Sequence, residues 1–267
     1  MYDYQTMHKS ATGKDNARPS DDLMINSRYV SDLVDGYRQL YVSGRGLVGQ
    51  EINTVTIPRR AGVWVDETRT EEIEIKIYYQ LTAKTSSELR NKFTLLNKIL
   101  RGAVSGAGSP ALTISFADEI EYDTTAYLKE VESIPEQSLS LKSSFTLLVP
   151  DPYKRQKDKQ MSSGNIALTE AYEVLPERIV AYAESNTTTI SVTNGRTTIA
   201  FKGQYLLGRE LEIIWKSDEV TATFDGKNIL YEMTNLSIPE DFYIRDKDLI
   251  RGTNLTIQTV EWRDKRL

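Results

Sequence analysis

The clearest alternation of hydrophobic and polar residues in the chain lies between positions 72 and 80. Ile73, Ile75, Ile77 and Tyr79 occur at every second position, and mostly charged residues stand between them. Successive side chains of a β-strand point to opposite faces of the sheet. The pattern therefore predicts a strand with one buried face and one solvent-exposed face.

A helix is predicted directly after this strand, over residues 86–100. The run Thr85-Ser-Ser-Glu88 is a capping box, in which the threonine hydroxyl accepts a hydrogen bond from a first-turn amide and the glutamate reaches back to the cap. The glycine at position 102 ends the helix. One apolar stripe at helical spacing should pack on the sheet, and it consists of Leu89, Phe93, Leu96 and Leu100.

Strand patterns surround this helix on both sides. Alternation begins near Leu40, continues through residues 52–57, and is followed by a turn over residues 58–62. It returns at residues 112–116 and 139–149. Residues 8–28 are polar and contain Gly and Pro, so we expect an N-terminal arm or long loop there. The first domain, residues 1–153, is predicted to be mainly β with one α-helix.

A polar segment, residues 154–164, separates this domain from a second run of strands and is expected to be a linker. Within residues 165–267, the dipeptides Asn194-Gly195 and Asp225-Gly226 lie between β-type segments, as in tight hairpins. About seven or more short strands follow from the pattern, which is typical of a β-sandwich. The sequence thus predicts two β-rich domains.

Composition excludes several classes of function. Apolar residues make up 39% of the 267 residues, which is enough for a folded core. The net charge of -5 is spread over both halves, so we expect no nucleic-acid surface. Cysteine is absent, which fits a protein made in a reducing cytosol. No signal peptide and no membrane anchor are expected, because no stretch approaches about 20 apolar residues.

Candidate catalytic groups are few. The chain has one histidine, His8, and no cysteine, so we expect neither a nucleophile relay nor a zinc site. The acidic segment 118–123 could supply a pair of carboxylates for glycoside hydrolysis or oxygen ligands for calcium, but a solvated turn explains it equally well. Glycine-rich stretches do not match a phosphate-binding loop. We therefore predict no enzyme activity, no cofactor and no metal.

Binding surfaces are better supported than catalysis. Arg59 and Arg60 follow Pro58, with Arg45 upstream, and such fixed charges suit an ion pair with a neighbouring subunit or, equally, a solvated turn. Trp215 and Tyr231 could form an aromatic platform for a carbohydrate. For the tryptophans, packing in a core or an interface is the more common role.

The chain resembles the distal tail proteins of long-tailed phages and prophages that infect Gram-positive bacteria. The resemblance covers most of the chain and includes the closing segment 252–267. It depends on the order and spacing of six segments, which are Val42-Ser-Gly-Arg45, Ile57-Pro-Arg-Arg60-Ala-Gly62, the helix 89–100, residues 111–116, residues 127–131, and the run from Phe145 to Asp151-Pro-Tyr153.

This resemblance implies a virion structural protein at the tail tip, synthesised in the host cytoplasm. Its first domain would be a ring-forming, β-sandwich-like domain that builds a hexameric hub below the tail tube. Its second domain would be a galectin-like β-sandwich displayed outward. The partners implied are the major tail tube protein and a tail-associated lysin, tail fibre or receptor-binding protein. Because exposed strand edges can pair between chains, we expect the strand 72–79, with Ile73, Ile75 and Ile77, or a neighbouring strand to contribute to the ring contact.

Two functions from other classes compete with the structural role. The second domain could be a carbohydrate-binding module that recognises the bacterial cell wall through Trp215 or Tyr231. The acidic segment could belong to a hydrolase, which requires a cleft with two converging carboxylates.

Overall fold

The computed structural model describes residues 18–102, 110–133, 138–216 and 219–267. The chain divides into two compact units, one comprising the chain up to Lys154 together with Leu267, and the other comprising Arg155–Arg266. None of the helices within the described ranges has both the length and the apolar character needed to cross a membrane.

The first unit contains nine strands and two helices within its described ranges. The strands are β1 (Leu23–Ile25), β2 (Arg28–Tyr29), β3 (Tyr37–Ser43), β4 (Gln50–Val55), β5 (Trp64–Thr70), β6 (Ile73–Thr82), β7 (Leu112–Phe116), β8 (Tyr122–Val131) and β9 (Ser140–Val149). The helices are α1 (Val30–Leu33) and α2 (Ser86–Leu100), and a 3-10 turn spans Ala117–Glu119.

Seven of these strands form one antiparallel sheet in the order β2-β1-β7-β8-β9-β6-β3. The strand β6 lies between β3 and β9, and its register places Ile77 opposite Val42 on one side and Phe145 on the other. Ile75, Ile77, Tyr79 and Leu81 are buried on one face. The predicted alternation over residues 73–79 is therefore confirmed as a half-buried strand.

Helix α2 is confirmed over the predicted residues. The Thr85 hydroxyl accepts a hydrogen bond from the Glu88 amide at 3.2 Å, and the Glu88 carboxylate accepts one from the Lys84 amide at 2.9 Å. The glutamate thus reaches one residue beyond the cap. The apolar stripe of the helix enters the first hydrophobic core through Leu89, Leu96, Ile99 and Leu100.

The second unit is built from further antiparallel strands. The strands that follow residue 153 are β10 (Lys154–Gln156), β11 (Gln160–Ser162), β12 (Glu173–Val174), β13 (Arg178–Ala183), β14 (Thr187–Thr193), β15 (Thr198–Tyr205), β16 (Glu210–Lys216), β17 (Glu219–Phe224), β18 (Lys227–Asn228), β19 (Ile244–Arg245), β20 (Arg251–Thr253), β21 (Leu255–Trp262) and β22 (Lys265–Arg266). Two 3-10 turns span Leu230–Glu232 and Pro239–Asp241.

A sandwich of sheets forms the core of this unit. One sheet has the order β11-β21-β13-β16-β17-β18, and another has the order β15-β14-β20. A single core cluster draws Ile179 and Ile213 from the first sheet and Val192 and Phe201 from the second. The dipeptides at 194–195 and 225–226 connect β14 to β15 and β17 to β18, so both predicted hairpins are confirmed.

Three expectations from the sequence need correction. The triplet Leu23–Ile25 lies inside the predicted arm 8–28, yet it is buried as strand β1, which pairs with β7 and places Leu23 and Ile25 in the first hydrophobic core. The expected linker 154–164 contains strands, and β11 pairs with β21 in the second unit. A one-turn helix, Val30–Leu33, accompanies the helix that was predicted. His8 and the rest of the arm before residue 18 lie outside the described residues.

Candidate assembly surface

Within the described part of the first unit, the most exposed element is a hairpin of two strands, β4 and β5, that pair with each other and with no other described strand. We call residues 50–70 the exposed hairpin. Every residue from position 50 to position 69 is exposed. This includes large apolar side chains, with Ile52, Trp64 and Val65 each more than half exposed.

An isolated two-stranded ribbon is at best marginally stable in water, because it has no hydrophobic face buried by a third layer. The exposed hairpin nevertheless carries β-branched and aromatic residues, which stabilise strands mainly by packing. Its cross-strand pairs Ile52–Thr68 and Thr54–Val65 bear no charge. These features indicate a surface that is covered when the protein binds a partner.

Arg45 lies two residues after β3, in the segment that leads to the exposed hairpin. Its guanidinium contacts Asp118 at 2.7 Å and Glu119 at 2.9 Å and lies 4.0 Å from the centre of the Phe116 ring. Burial opposes the charge, but the hydrogen bonds that the guanidinium donates to both carboxylates outweigh it and raise the pKa of Arg45. Arg45, predicted to face a neighbouring subunit, therefore makes its contacts within its own chain.

This pairing also explains the acidic segment. Glu119 accepts hydrogen bonds from Lys154 at 2.9 and 3.0 Å as well as facing Arg45. Although burial acts in the opposite direction, these two cations lower the pKa of Glu119. A hydrolase needs one carboxyl group with a raised pKa to act as the acid. Asp118 and Glu119 are therefore residues of a turn whose carboxylates form ion pairs with Arg45 and Lys154.

The tip of the hairpin presents positive charge. Arg59 has a φ of +66° and Gly62 a φ of +81°, so the chain reverses sharply after Pro58. The Arg60 guanidinium lies 5.3 Å from the centre of the Trp64 ring, and both arginines are exposed. Of the three arginines predicted at an interface, Arg59 and Arg60 are the two that the fold leaves available.

The predicted interface strand 72–79 is not at an edge. Ile75 and Ile77 are buried in the core of the first unit, and Ile73 packs against that core. Strand β6 is paired on both sides, so it has no free backbone groups for a second chain. Edge pairing through β6 is ruled out, because long-range pairing with β3 and β9 places it inside the sheet. The wider expectation, that β6 or a neighbouring strand contributes to the ring contact, stays a prediction. The neighbouring strand β3 ends the sheet instead.

The two aromatic residues predicted for carbohydrate binding have different surroundings. Trp215 is buried, donates its indole hydrogen bond to the Pro239 carbonyl at 2.8 Å and stacks on Phe242 at 6.0 Å. It is a core residue and offers no platform. Tyr231, in contrast, is 82% exposed. No pattern along the chain singles out Tyr172, which is also exposed and whose ring centre lies 4.6 Å from the Arg245 guanidinium.

Comparison with known proteins identifies the fold. No family model matches the chain, and no curated protein matches it. Among solved structures, the chain is similar to the SPP1 Dit protein, described as a paradigm of the hub adsorption apparatus in Gram-positive-infecting phages. The match has a TM-score of 0.69 and 14% sequence identity, and it covers 92% of this chain and 99% of that chain. Two structures of the phage p2 baseplate in its activated conformation, with strontium and with calcium, match over 87% of this chain and 91% of theirs at 12% identity, with TM-scores of 0.49 and 0.48.

Proposed function

We propose that this protein is a structural component of a phage tail, which forms the hub at the distal end of the tail tube by closed self-association. The Dit-like fold supports the proposal because it extends over nearly the whole of both chains. Fold alone does not establish a function. The observation that carries the proposal is therefore the exposed hairpin, whose apolar surface has no partner within the described part of this chain.

A hub acts by geometry, and the first unit suits this role. An interface that repeats head to tail around a closed rotation produces a ring. A stable interface of this kind buries about 2,000 Å² or more, and a projecting hairpin of some 20 residues provides much of such an area. We propose a ring of six copies built by residues 1–153, with residues 165–267 displayed outward and no catalysis by either domain.

The proposed partners follow from this position. A ring at the end of the tube would stack on the tube protein on one side. On the other side it would hold a tail-associated lysin, tail fibre or receptor-binding protein. The protein would accordingly reside in the virion, at the tail tip.

Self-association tests the proposal directly. The full chain at about 50 µM should sediment as a closed oligomer and appear as a hollow ring in negative-stain images. A variant in which a four-residue Gly-Ser turn replaces residues 50–70 should remain folded and monomeric, since the hairpin pairs with no other strand. Tyr231→Ala, an exposed aromatic change outside the hairpin, serves as the matched control. A wild-type chain that stays monomeric at this concentration would refute the hub.

Carbohydrate binding by the second unit is the alternative function. The exposed rings of Tyr231 and Tyr172 favour it, because sugars stack on accessible aromatic faces. Retention of the full chain on purified Gram-positive cell walls, and its loss in the variant Tyr172→Ala/Tyr231→Ala, would support this role. Equal retention of the variant and the wild type would exclude these two residues as the platform.

A further inference from the structure

The pair Asn194-Gly195 occurs once in the chain and forms the turn between β14 and β15. This pair has a chemistry of its own besides its role as a turn. Glycine has no Cβ to hinder approach to its amide nitrogen, so an asparagine that precedes a glycine readily loses its side-chain amide when the chain is flexible. The turn is therefore a candidate site of modification by deamidation.

The reaction uses only atoms of these two residues and water. A solvent base removes the proton of the Gly195 amide, and the nitrogen attacks Cγ of Asn194. The new N–Cγ bond forms as the Cγ–Nδ2 bond breaks, and Nδ2 takes up a proton and leaves as ammonia. Water then opens the cyclic imide at either carbonyl group, which leaves aspartate or isoaspartate at position 194.

The fold holds the group that would be attacked. Asn194 is 5% exposed. Its Oδ1 accepts hydrogen bonds from the backbone amides of Arg196 at 2.9 Å and Thr197 at 2.7 Å, and its Nδ2 donates to the Tyr243 carbonyl at 2.8 Å. Rotation of the side chain toward the Gly195 nitrogen would break these bonds and leave buried polar groups unsatisfied, which is costly.

The attacking nitrogen is engaged as well. The Gly195 amide donates a hydrogen bond to Oγ1 of Thr193 at 3.1 Å. The same hydroxyl donates to the Thr197 carbonyl at 2.9 Å and accepts from the Thr198 hydroxyl at 3.0 Å, so its position is fixed. An amide that is hydrogen-bonded in the folded state reacts with solvent base mainly after local opening, as in hydrogen exchange.

A further set of contacts ties the turn to the segment 243–248. The Arg196 guanidinium donates to the same Tyr243 carbonyl at 3.0 Å and contacts the Asp248 carboxylate at 2.6 Å. That carboxylate is 11% exposed and also accepts a hydrogen bond from the Arg245 amide at 2.7 Å. Opening of the turn therefore requires the loss of contacts on both the hairpin and this segment.

We propose that Asn194-Gly195 is a latent deamidation site, which the native turn keeps unreactive and which local opening of the hairpin of β14 and β15 releases. The product prevents the turn from closing as before, because a carboxylate cannot donate to the Tyr243 carbonyl and isoaspartate adds a methylene to the backbone. The proposal concerns the second unit alone and does not depend on the proposed hub.

Peptide mapping by mass spectrometry measures the reaction at this position. The full chain is incubated at mildly alkaline pH, folded in buffer and unfolded in concentrated urea, and the conversion of Asn194 to its acid forms is followed over days. The reaction in the folded chain should be at least about 10-fold slower than in the unfolded chain, because a hairpin that packs on a core opens rarely. Protection of less than about 10-fold would overturn the proposal.

Thr193→Val tests the acceptor of the Gly195 amide. Valine keeps the β-branched shape and removes the hydroxyl. The folded variant should deamidate about 5-fold faster than the folded wild type, the value expected for one lost hydrogen bond. Thr189→Val is the matched control, because Thr189 is an exposed threonine on the same strand and lies outside the turn; it should react at the wild-type rate.

The outcomes separate the site from its protecting contact. Circular dichroism first shows whether both variants are folded, and the comparison of folded and unfolded wild type decides the proposal if Thr193→Val does not fold. A folded Thr193→Val chain that reacts no faster than Thr189→Val would exclude the Thr193 hydroxyl as the group that protects the Gly195 amide.

Discussion

Replacing Arg45 with methionine should loosen the connection between the end of β3 and the turn Ala117–Glu119. Methionine keeps an unbranched apolar stem and removes the guanidinium, which lies over the Phe116 ring and contacts Asp118 and Glu119. The Arg45 side chain is only 14% exposed, so the substitution removes the ion pairs and the contact with the ring together. Arg45→Lys retains the charge without the planar fork, so it is the graded comparison.

The expected magnitude follows from the surroundings of the two carboxylates. A hydrogen bond to a charged group contributes about 1.5–3 kcal/mol when it is buried, and an exposed ion pair contributes about 0.5 kcal/mol. Asp118 is 32% exposed and can regain water, while Glu119 keeps its contact with Lys154. We expect a loss of about 2 kcal/mol for Arg45→Met and about 1 kcal/mol for Arg45→Lys.

Hydrogen exchange followed by mass spectrometry measures this loss locally. A decrease of about 2 kcal/mol in opening free energy corresponds to roughly 30-fold faster exchange. The effect should appear in β3, in β7 and in the turn Ala117–Glu119. Strands β14 and β15 of the second unit provide the control within the same molecule, and their exchange should not change.

Two results would contradict the reasoning. Exchange in β3 and in the turn that rises less than 3-fold would show that Arg45 does not hold the end of β3 to the turn Ala117–Glu119. A lysine variant as labile as the methionine variant would show that the position requires the guanidinium fork and that the charge alone contributes nothing.

Three further changes have expected outcomes. Gly44→Ala should lower the melting temperature strongly, because Gly44 has a φ of +88° and an added Cβ would lie 1.9 Å from the Glu74 carbonyl oxygen. Gly46→Ala is the control and should be tolerated, because a Cβ added there has no atom within 4 Å. Thr85→Ala removes the cap of α2 and should cost about 1 kcal/mol in urea unfolding; a neutral result would contradict the capping role. Asp264→Asn should lower the free energy of unfolding by about 2 kcal/mol at pH 7, because the carboxylate accepts hydrogen bonds from four backbone amides and a hydroxyl. Burial acts to raise the pKa of Asp264, but these hydrogen bonds outweigh it and lower the pKa. The stabilisation by the carboxylate is present above the unfolded value of about 3.9 and is lost as the pH falls through the lower folded pKa, so wild type and variant should converge in acid.

Much of the local structure follows from short stretches of sequence. The capping box and the apolar stripe predict α2 within its observed bounds, because both depend on neighbours three or four residues apart. The dipeptides at 194–195 and 225–226 predict hairpins, because a tight turn needs left-handed backbone conformations that few residues adopt easily.

The position of a strand within its sheet could not be predicted from such local patterns. The alternation in β6 shows that one face of the strand is buried, but a central strand and an edge strand have the same alternation. Its partners β3 and β9 come from distant parts of the sequence. Trp215 is a similar case, because its burial depends on the Pro239 carbonyl and the Phe242 ring, and a tryptophan in a strand is equally compatible with a surface.

The sequence by itself determined the elements of this protein, namely a mainly β chain with one long helix, two tight hairpins and few catalytic side chains. Periodicity, caps and turns are local properties, so they can be recognised without knowledge of the fold. Only the tertiary structure decided which surfaces remain available. It placed Arg45 against carboxylates more than 70 residues away and left Arg59 and Arg60 on a projecting hairpin. Such distinctions depend on contacts between distant segments, and burial and ion pairing are properties of those contacts.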